Sequence, residues 1–234
     1  MSQNHMRILL VEDDVSTRDA IASYLERENC LVTQVGDGQS ALAKLSDHLY
    51  DLVILDLMLP NVSGERVCGI VRQTSSIPII VLTGKANIDD KVMAFDLGVD
   101  DYMVKPFSPR ELVARAKALV RRSCDKVTNN GDVRHFGDLE INFTSRKVRV
   151  RDKEVILTSS EFDLLSNLSA SAGKAFSRME LVERVLGYDF EGYERTIDSH
   201  IKNLRQKISD DPKNPKWIHT VHGVGYRFEY VDGQ

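Results

Sequence analysis

Three short runs in the first half of the chain, Ile8 to Val11, Val53 to Leu55 and Ile79 to Leu82, are apolar at every position. A strand with one wet face alternates apolar and polar residues, so uninterrupted runs of this length imply strands covered on both sides. Helix-length amphipathic segments separate the runs, and this alternation predicts βα units around a parallel sheet. Strands are expected at Arg7 to Val11, Leu31 to Val35, Leu52 to Leu55, Pro78 to Leu82 and Asp101 to Val104. A helix is expected over Ser16 to Glu28, where Ala20, Ile21, Tyr24 and Leu25 share one face.

The pattern changes near residue 122. Ser123 to Val133 mixes polar and turn-forming residues and reads as a linker. A first domain over 1–122 and a second domain over 134–234 follow, consistent with a length of 234 residues. The second domain begins with short strands at Asp138 to Ile141, Lys147 to Arg151 and Glu154 to Leu157. Helical patterns then cover Ser160 to Leu168, Arg178 to Val185 and Thr196 to Ser209, and a hairpin-like stretch runs from Trp217 to Tyr230. The fold class expected is α/β, a doubly wound five-stranded parallel sheet, followed by an α+β domain.

Composition excludes several functions. No apolar stretch approaches the roughly 18 residues of a membrane span, and no basic stretch with a signal-peptide core opens the chain, so a cytoplasmic protein is expected. Cys30, Cys68 and Cys124 are widely separated and lack metal-ligand spacing, which fits free thiols. A net charge of -4, with sixteen basic and sixteen acidic residues between 134 and 234, means that nucleic-acid binding must rest on local charge.

Polar residues gather at the strand ends of the first domain, where open parallel sheets bind ligands. Glu12, Asp13 and Asp14 follow the first strand, Asp56 the third, Thr83 the fourth and Lys105 the fifth. A single aspartate at a strand end is usually a turn or helix cap, but caps have no reason to fall at these ends together. Two carboxylates, Asp13 and Asp56, suit Mg2+, which prefers oxygen ligands and takes one or two carboxylates. A carboxylate also serves as nucleophile toward a phosphoryl group when nearby cations neutralise the incoming charge, as Lys105 could do with a hydroxyl from Thr83.

These residues stand in longer motifs: Leu10-Val11-Glu12-Asp13-Asp14, Asp56-Leu57-Met58-Leu59-Pro60 with Gly64, Leu82-Thr83-Gly84, and Asp100-Asp101-Tyr102-Met103-Val104-Lys105-Pro106-Phe107. Over residues 7 to 122 they resemble the receiver domain of two-component response regulators, a flavodoxin-like fold. The resemblance implies that Asp56 is the phosphoacceptor for a sensor histidine kinase. It implies Mg2+ held by Asp13, Asp56 and the Met58 backbone carbonyl, with Glu12 acting through water, and Thr83 and Tyr102 as a switch pair. The Lys105-Pro106 bond is expected to be cis. Phosphohydrolases of the haloacid dehalogenase type also form an aspartyl phosphate but carry a second aspartate two residues later. Position 58 is Met, so a switch is expected rather than an enzyme.

Residues 134 to 230 resemble the winged helix-turn-helix effector of the OmpR/PhoB class, through Leu157 to Leu165, Gly187-Tyr188-Asp189-Phe190, Arg195 to Arg205 and Val221 to Phe228. At 100° per residue, Ile197, Ile201, Leu204 and Ile208 form one stripe of the Thr196 to Ser209 helix. Arg195, Ser199, Lys202, Asn203 and Gln206 are expected to project oppositely, and with Arg205 and the wing residue His222 to meet double-stranded DNA. Between Arg195 and Lys207 four basic residues face Asp198 alone. The loop Gly187 to Glu194 would face RNA polymerase in an activator. The resemblance further implies a homodimer on phosphorylation, through Lys91 with Glu111, Asp100 with Arg115, and Asp101 with Arg122. A phosphorylation-independent DNA-binding protein using the first domain as a scaffold is the competing expectation.

Overall fold

The computed structural model describes residues 5–47, 49–84, 93–124, 133–187 and 194–230. It divides into two compact units, Met1–Cys124 and Asp125–Gln234. In the first, strands β1 (Arg7–Val11), β2 (Leu31–Val35), β3 (Leu52–Asp56), β4 (Ile79–Thr83) and β5 (Asp101–Val104) form an all-parallel sheet of order β2-β1-β3-β4-β5. Four described helices flank it: α1 (Val15–Arg27), α2 (Gly38–Asp47), α3 (Gly64–Thr74) and α4 (Pro109–Cys124). The chain turns from β1 to β2 on one side and then crosses to β3 on the other, so strand order reverses between β1 and β3.

Right-handed crossovers set the helices on opposite faces of such a sheet. On one face Ile8, Leu10, Ile54, Ile80 and Leu82 pack against Ile21 and Leu25 of α1 and Leu112, Ala116 and Leu119 of α4. The intervening residues Leu9, Val11, Val53, Leu55 and Val81 are equally buried, which explains why the runs carry no polar alternation. Each such aliphatic side chain contributes roughly 1.5–3 kcal/mol by leaving water.

One ion pair closes the edge of this unit. The Arg72 guanidinium, at the end of α3, donates to the Gly98 carbonyl (2.7 Å), the Ile77 carbonyl (2.6 Å) and Asp100 Oδ2 (2.8 Å). Asp100 is fully buried and also accepts from the Ile79 amide at 3.0 Å, where β4 begins. Asp100 was expected on an intersubunit face, and the structure corrects this: its carboxylate is spent inside the unit.

The second unit opens with an antiparallel meander, β6 (Val133–Phe136), β7 (Leu139–Asn142), β8 (Lys147–Val150) and β9 (Lys153–Val155). Helices α5 (Ser159–Ala170), α6 (Arg178–Val185) and α7 (Arg195–Ile208) follow, with a three-stranded sheet of β10 (Ala175–Ser177), β11 (Ile218–Val221) and β12 (Gly225–Phe228) in the order β10-β12-β11. Reciprocal capping boxes start α5 (Thr158 with Glu161) and α6 (Ser177 with Glu180). Between β11 and β12 a tight turn closes with the Val224 amide on the Val221 carbonyl (3.0 Å), Gly223 taking φ 75°.

Of the linker expected over Ser123 to Val133, residues 125–132 lie outside the described residues. Helix α4 continues through Cys124, and Val133 pairs with Asn142 in the meander. Strands β6 and β10 escaped the sequence reading because Val133-Arg134-His135-Phe136 and Ala175-Phe176-Ser177 carry neither an apolar run nor a clear alternation.

Breaking a buried ion pair by removing one partner costs about 3–5 kcal/mol. Arg72→Ala is therefore expected to lower the unfolding free energy of the first unit by several kcal/mol in urea denaturation; a loss below about 1 kcal/mol would contradict the assigned role. The Cys68 thiol is fully buried, and burial pushes its pKa up to about 11. Native protein should therefore leave Cys68 unmodified by iodoacetamide under conditions that alkylate it completely in urea, as read by peptide mass mapping.

Candidate functional site

Strand register assembles the acidic end of the sheet. Val11 of β1 pairs with Leu55 of β3, so the next residues, Glu12 and Asp56, leave the sheet side by side. Asp56 in turn lies level with Leu82, and Thr83 with Val104, which carries Lys105 just beyond the same edge. The Lys105 ammonium donates to both Glu12 oxygens (2.9 and 2.7 Å) and to Asp56 Oδ2 (2.5 Å). Glu12 and Asp56 are almost wholly buried. The other Asp56 oxygen, Oδ1, accepts from the Met58 amide at 2.8 Å, so both ends of the carboxylate are held.

The surrounding backbone is equally constrained. The Arg18 guanidinium of α1 donates to the Glu12 carbonyl at 2.7 Å, and the Lys105 amide donates to the Thr83 carbonyl at 2.7 Å. Lys105-Pro106 is cis, as expected. A Cβ on Gly64 would run into the Asp56 carbonyl oxygen and lie 2.6 Å from the Leu57 Cα, so only glycine lets α3 start this close to Asp56. Asp14 is the N-cap of α1 and accepts from the Thr17 amide at 2.7 Å. Asp13 is exposed, and its carboxylate lies with those of Glu12 and Asp56 in a group whose ligand atoms are all within 4.8 Å of one another.

Burial is the larger influence on Glu12 and raises its pKa, against the opposing hydrogen bond from Lys105. For Lys105, desolvation disfavours the charged form, but the bonds to Asp56 and Glu12 together outweigh it and the pKa rises. The ammonium therefore stays charged between its two carboxylates. Three carboxylates offering hard oxygen ligands at one strand-end cleft form a donor set suited to Mg2+.

Thr83 ends β4 and is buried beside this cleft. Tyr102, in the middle of the neighbouring edge strand, lies inside the unit with its ring edge-on to Phe95 at 6.1 Å. Of the expected dimer face, Lys91 lies outside the described residues, as does the side chain of Arg122. Within this chain Arg115 bonds Glu111 (2.8 Å) and Asp101 (3.3 Å) rather than Asp100.

In the second unit, α7 buries Ile197, Ile201, Leu204 and Ile208, and leaves Arg195, Lys202 and Gln206 exposed with Asn203 half-buried. His222 is exposed at the turn between β11 and β12. Two expected DNA contacts are corrected. Ser199 is only 4% exposed and Arg205 only 8%, and Arg205 turns toward the sheet, donating to the Ile218 carbonyl of β11. Of the loop expected to meet polymerase, residues 188–193 lie outside the described residues.

The sequence reading missed a cluster at the start of α7. Asp198 Oδ1 accepts from Arg178 Nε and from the Tyr226 hydroxyl, each at 2.7 Å. Arg18 and Arg178 had the same signal available: an arginine in the first turn or two of a helix that follows a strand end, close to acidic residues.

Comparisons with known proteins match one family in each unit. Residues 8–117 match the response regulator receiver domain, and residues 152–228 match the C-terminal domain of transcriptional regulatory proteins. The sensory transduction protein RegX3 of Mycolicibacterium smegmatis is 42% identical over 224 residues, 95% of this chain and 98% of the relative. The transcriptional regulatory protein ResD of Bacillus subtilis is 41% identical over 232 residues, 97% of each chain. Among solved structures, the response regulator DrrB, a Thermotoga maritima OmpR/PhoB homologue, is similar at 31% identity and a TM-score of 0.51, covering 96% of this chain and 99% of that one.

Burial, and after it the bond to Asp198, pushes the Tyr226 phenol up to about 12. A raised pKa contributes stability that is complete below the unfolded value, near 10, and is lost as pH rises through the folded one. Urea denaturation is therefore expected to show stability falling between about pH 10 and 12 in a step that Tyr226→Phe lacks; parallel curves for the two proteins would contradict this.

Proposed function

The chain belongs to the two-component response regulators of the OmpR/PhoB class, and on that premise we propose that it accepts a phosphoryl group on Asp56 from a sensor histidine kinase and binds DNA in response. It is a DNA-binding transcriptional regulator. The observation that carries the proposal is the Lys105 ammonium bridging Glu12 and Asp56 at the strand-order reversal.

In the transfer, an Asp56 oxygen attacks phosphorus, the P–N bond to the kinase histidine breaks, and an acyl phosphate P–O bond forms. Both Asp56 oxygens are held, one by Lys105 and one by the Met58 amide, so the nucleophile is oriented before the donor arrives. Asp13, Asp56 and the Met58 carbonyl would hold Mg2+ directly, with Glu12 acting through water. Bound there, Mg2+ would neutralise charge on the phosphoryl oxygens. Lys105 supplies positive charge from the β5 side, and the Thr83 hydroxyl, at the end of β4 between β3 and β5, would be a further donor. Movement of Thr83 toward the phosphoryl group would open room for the Tyr102 ring, already inside the unit, and change the face near β5.

Persistence of the phosphate fits a switch rather than an enzyme. Position 58, where a haloacid dehalogenase would carry its acid-base aspartate, is a Met 61% exposed to solvent. On the β5 side, Lys91, Asp101, Glu111, Arg115 and Arg122 are the candidates for ion pairs across a two-fold homodimer axis. The dimer would present two copies of α7 to repeated half-sites, with Arg195, Lys202, Asn203 and Gln206 toward the major groove and His222 toward the minor groove. RNA polymerase would be the further partner if the protein activates, and the cytoplasm is the compartment such a kinase partner implies.

Two measurements test this. A small-molecule phosphodonor with Mg2+ should convert the wild type to a dimer in sedimentation and tighten its binding to a duplex selected from a random pool by at least tenfold. Asp56→Asn should show neither change; equal tightening in both proteins would contradict the proposal. Lys202→Ala should weaken binding and reduce the slope of log affinity against log salt by about one, as expected for loss of one phosphate contact.

A further inference from the structure

Arg205 looks in sequence like one more cation on the DNA face of α7, but it lies inside the second unit. Its Nη2 donates to the Ile218 carbonyl (2.6 Å) and the Thr220 hydroxyl (3.1 Å) of β11. Its guanidinium carbon is 5.6 Å from the centre of the Tyr226 ring on β12. Among the described residues it makes no ion pair, and its Nε has no hydrogen-bond partner. Desolvation lowers its pKa, against the more distant charges of Tyr226 and Asp210. Burying an arginine without a paired carboxylate is costly, so surface charge alone does not account for it.

The Tyr226 ring is held from α7 twice. Two turns before Arg205, on the same face of the helix, Asp198 accepts the Tyr226 hydroxyl at 2.7 Å. Asp198 also fixes Arg178 of α6, whose guanidinium carbon is 5.3 Å from the same ring. A third tie lies just beyond the end of α7, where the buried Asp210 accepts from the amides of Lys216 (2.6 Å) and Ile218 (2.8 Å). The helix is thus joined to both strands of the β11-β12 hairpin along its length. Arg205 is the part of this joint that reaches β11 and β12 at once.

We propose that Arg205 is a positioning residue for DNA recognition, which touches no DNA and sets the β11-β12 wing, with His222 at its tip, in register with α7. This rests on the reading of α7 and the wing as the DNA-contacting elements. Losing the guanidinium would leave Lys202, Asn203 and Gln206 on their helix and let the hairpin drift relative to them.

The test uses the full chain and a duplex selected from a random pool by the wild type. Arg205→Ala and Arg205→Lys are compared at temperatures where circular dichroism shows both folded. Hydroxyl-radical footprinting should show the flanking protection assigned to the wing reduced at least fivefold relative to the central protection. The salt slope should stay within about 0.3 of the wild-type value, against a fall of about one for a lost phosphate contact. Arg205→Lys, which keeps the charge but not the forked donors, should behave like Arg205→Ala. A slope reduced by one with full retention in Arg205→Lys would identify a DNA contact and overturn the proposal. Uniform weakening of the whole footprint, or unchanged binding, would overturn it as well. If the wild type itself shows no flanking protection, the assignment of the wing fails first and the proposal with it; wild-type flanking protection that survives in both variants removes the proposal alone.

Discussion

The Lys105 ammonium, within 2.7 Å of Glu12 and 2.5 Å of Asp56, is the interaction on which the acidic end of the first unit depends. Two buried carboxylates delivered to one place by the β1-β3 register repel each other, and at an effective dielectric near 20 such a pair 4 Å apart costs about 4 kcal/mol. A cation from β5 offsets this and draws three strand ends together. The same arrangement that holds the two carboxylates together would, on the proposed reading, serve an incoming phosphoryl group, since the charge already on Lys105 requires no reorganisation when an anion arrives. On that reading, stability and reactivity share one residue.

The second unit solves a different problem. Its helix α7 must expose a polar face while its position is fixed from behind, and an amphipathic stripe of four aliphatic residues fixes depth better than rotation. The polar contacts to Tyr226, Thr220 and the β11 backbone supply what dispersion cannot, because hydrogen bonds at 2.6–2.7 Å are directional. A residue of the kind usually read as a DNA contact is used there as a strut.

Much of the first unit is legible in sequence, since uninterrupted apolar runs locate strands and their ends locate the polar residues of the cleft. What the sequence hides is pairing that depends on three dimensions. Asp100 and Asp101 are adjacent acids, yet Asp100 turns inward to Arg72, twenty-eight residues earlier, while Asp101 turns to Arg115. The expected strand at Asp101 to Val104 is present, yet it does not by itself name Arg72 or Arg115 as the partners, since these lie on α3 and α4. Ser199 and Arg205 mislead for a related reason: helical periodicity ranks faces by polarity, and a buried arginine with backbone partners scores as surface. Strands β6 and β10, unlike β7 and β8, show no alternation of their own and appear only through their partners.

The central claim is that the carboxylate gripped by Lys105 is the phosphoryl acceptor. Borohydride reduction converts an aspartyl phosphate to homoserine, so protein incubated with a small-molecule phosphodonor and Mg2+, reduced, digested and sequenced by mass spectrometry reports the acceptor directly. Homoserine at position 56, dependent on both Mg2+ and phosphodonor, is the predicted result. Homoserine at Asp13 or elsewhere, or none at position 56 under conditions that phosphorylate a known receiver, would contradict the account.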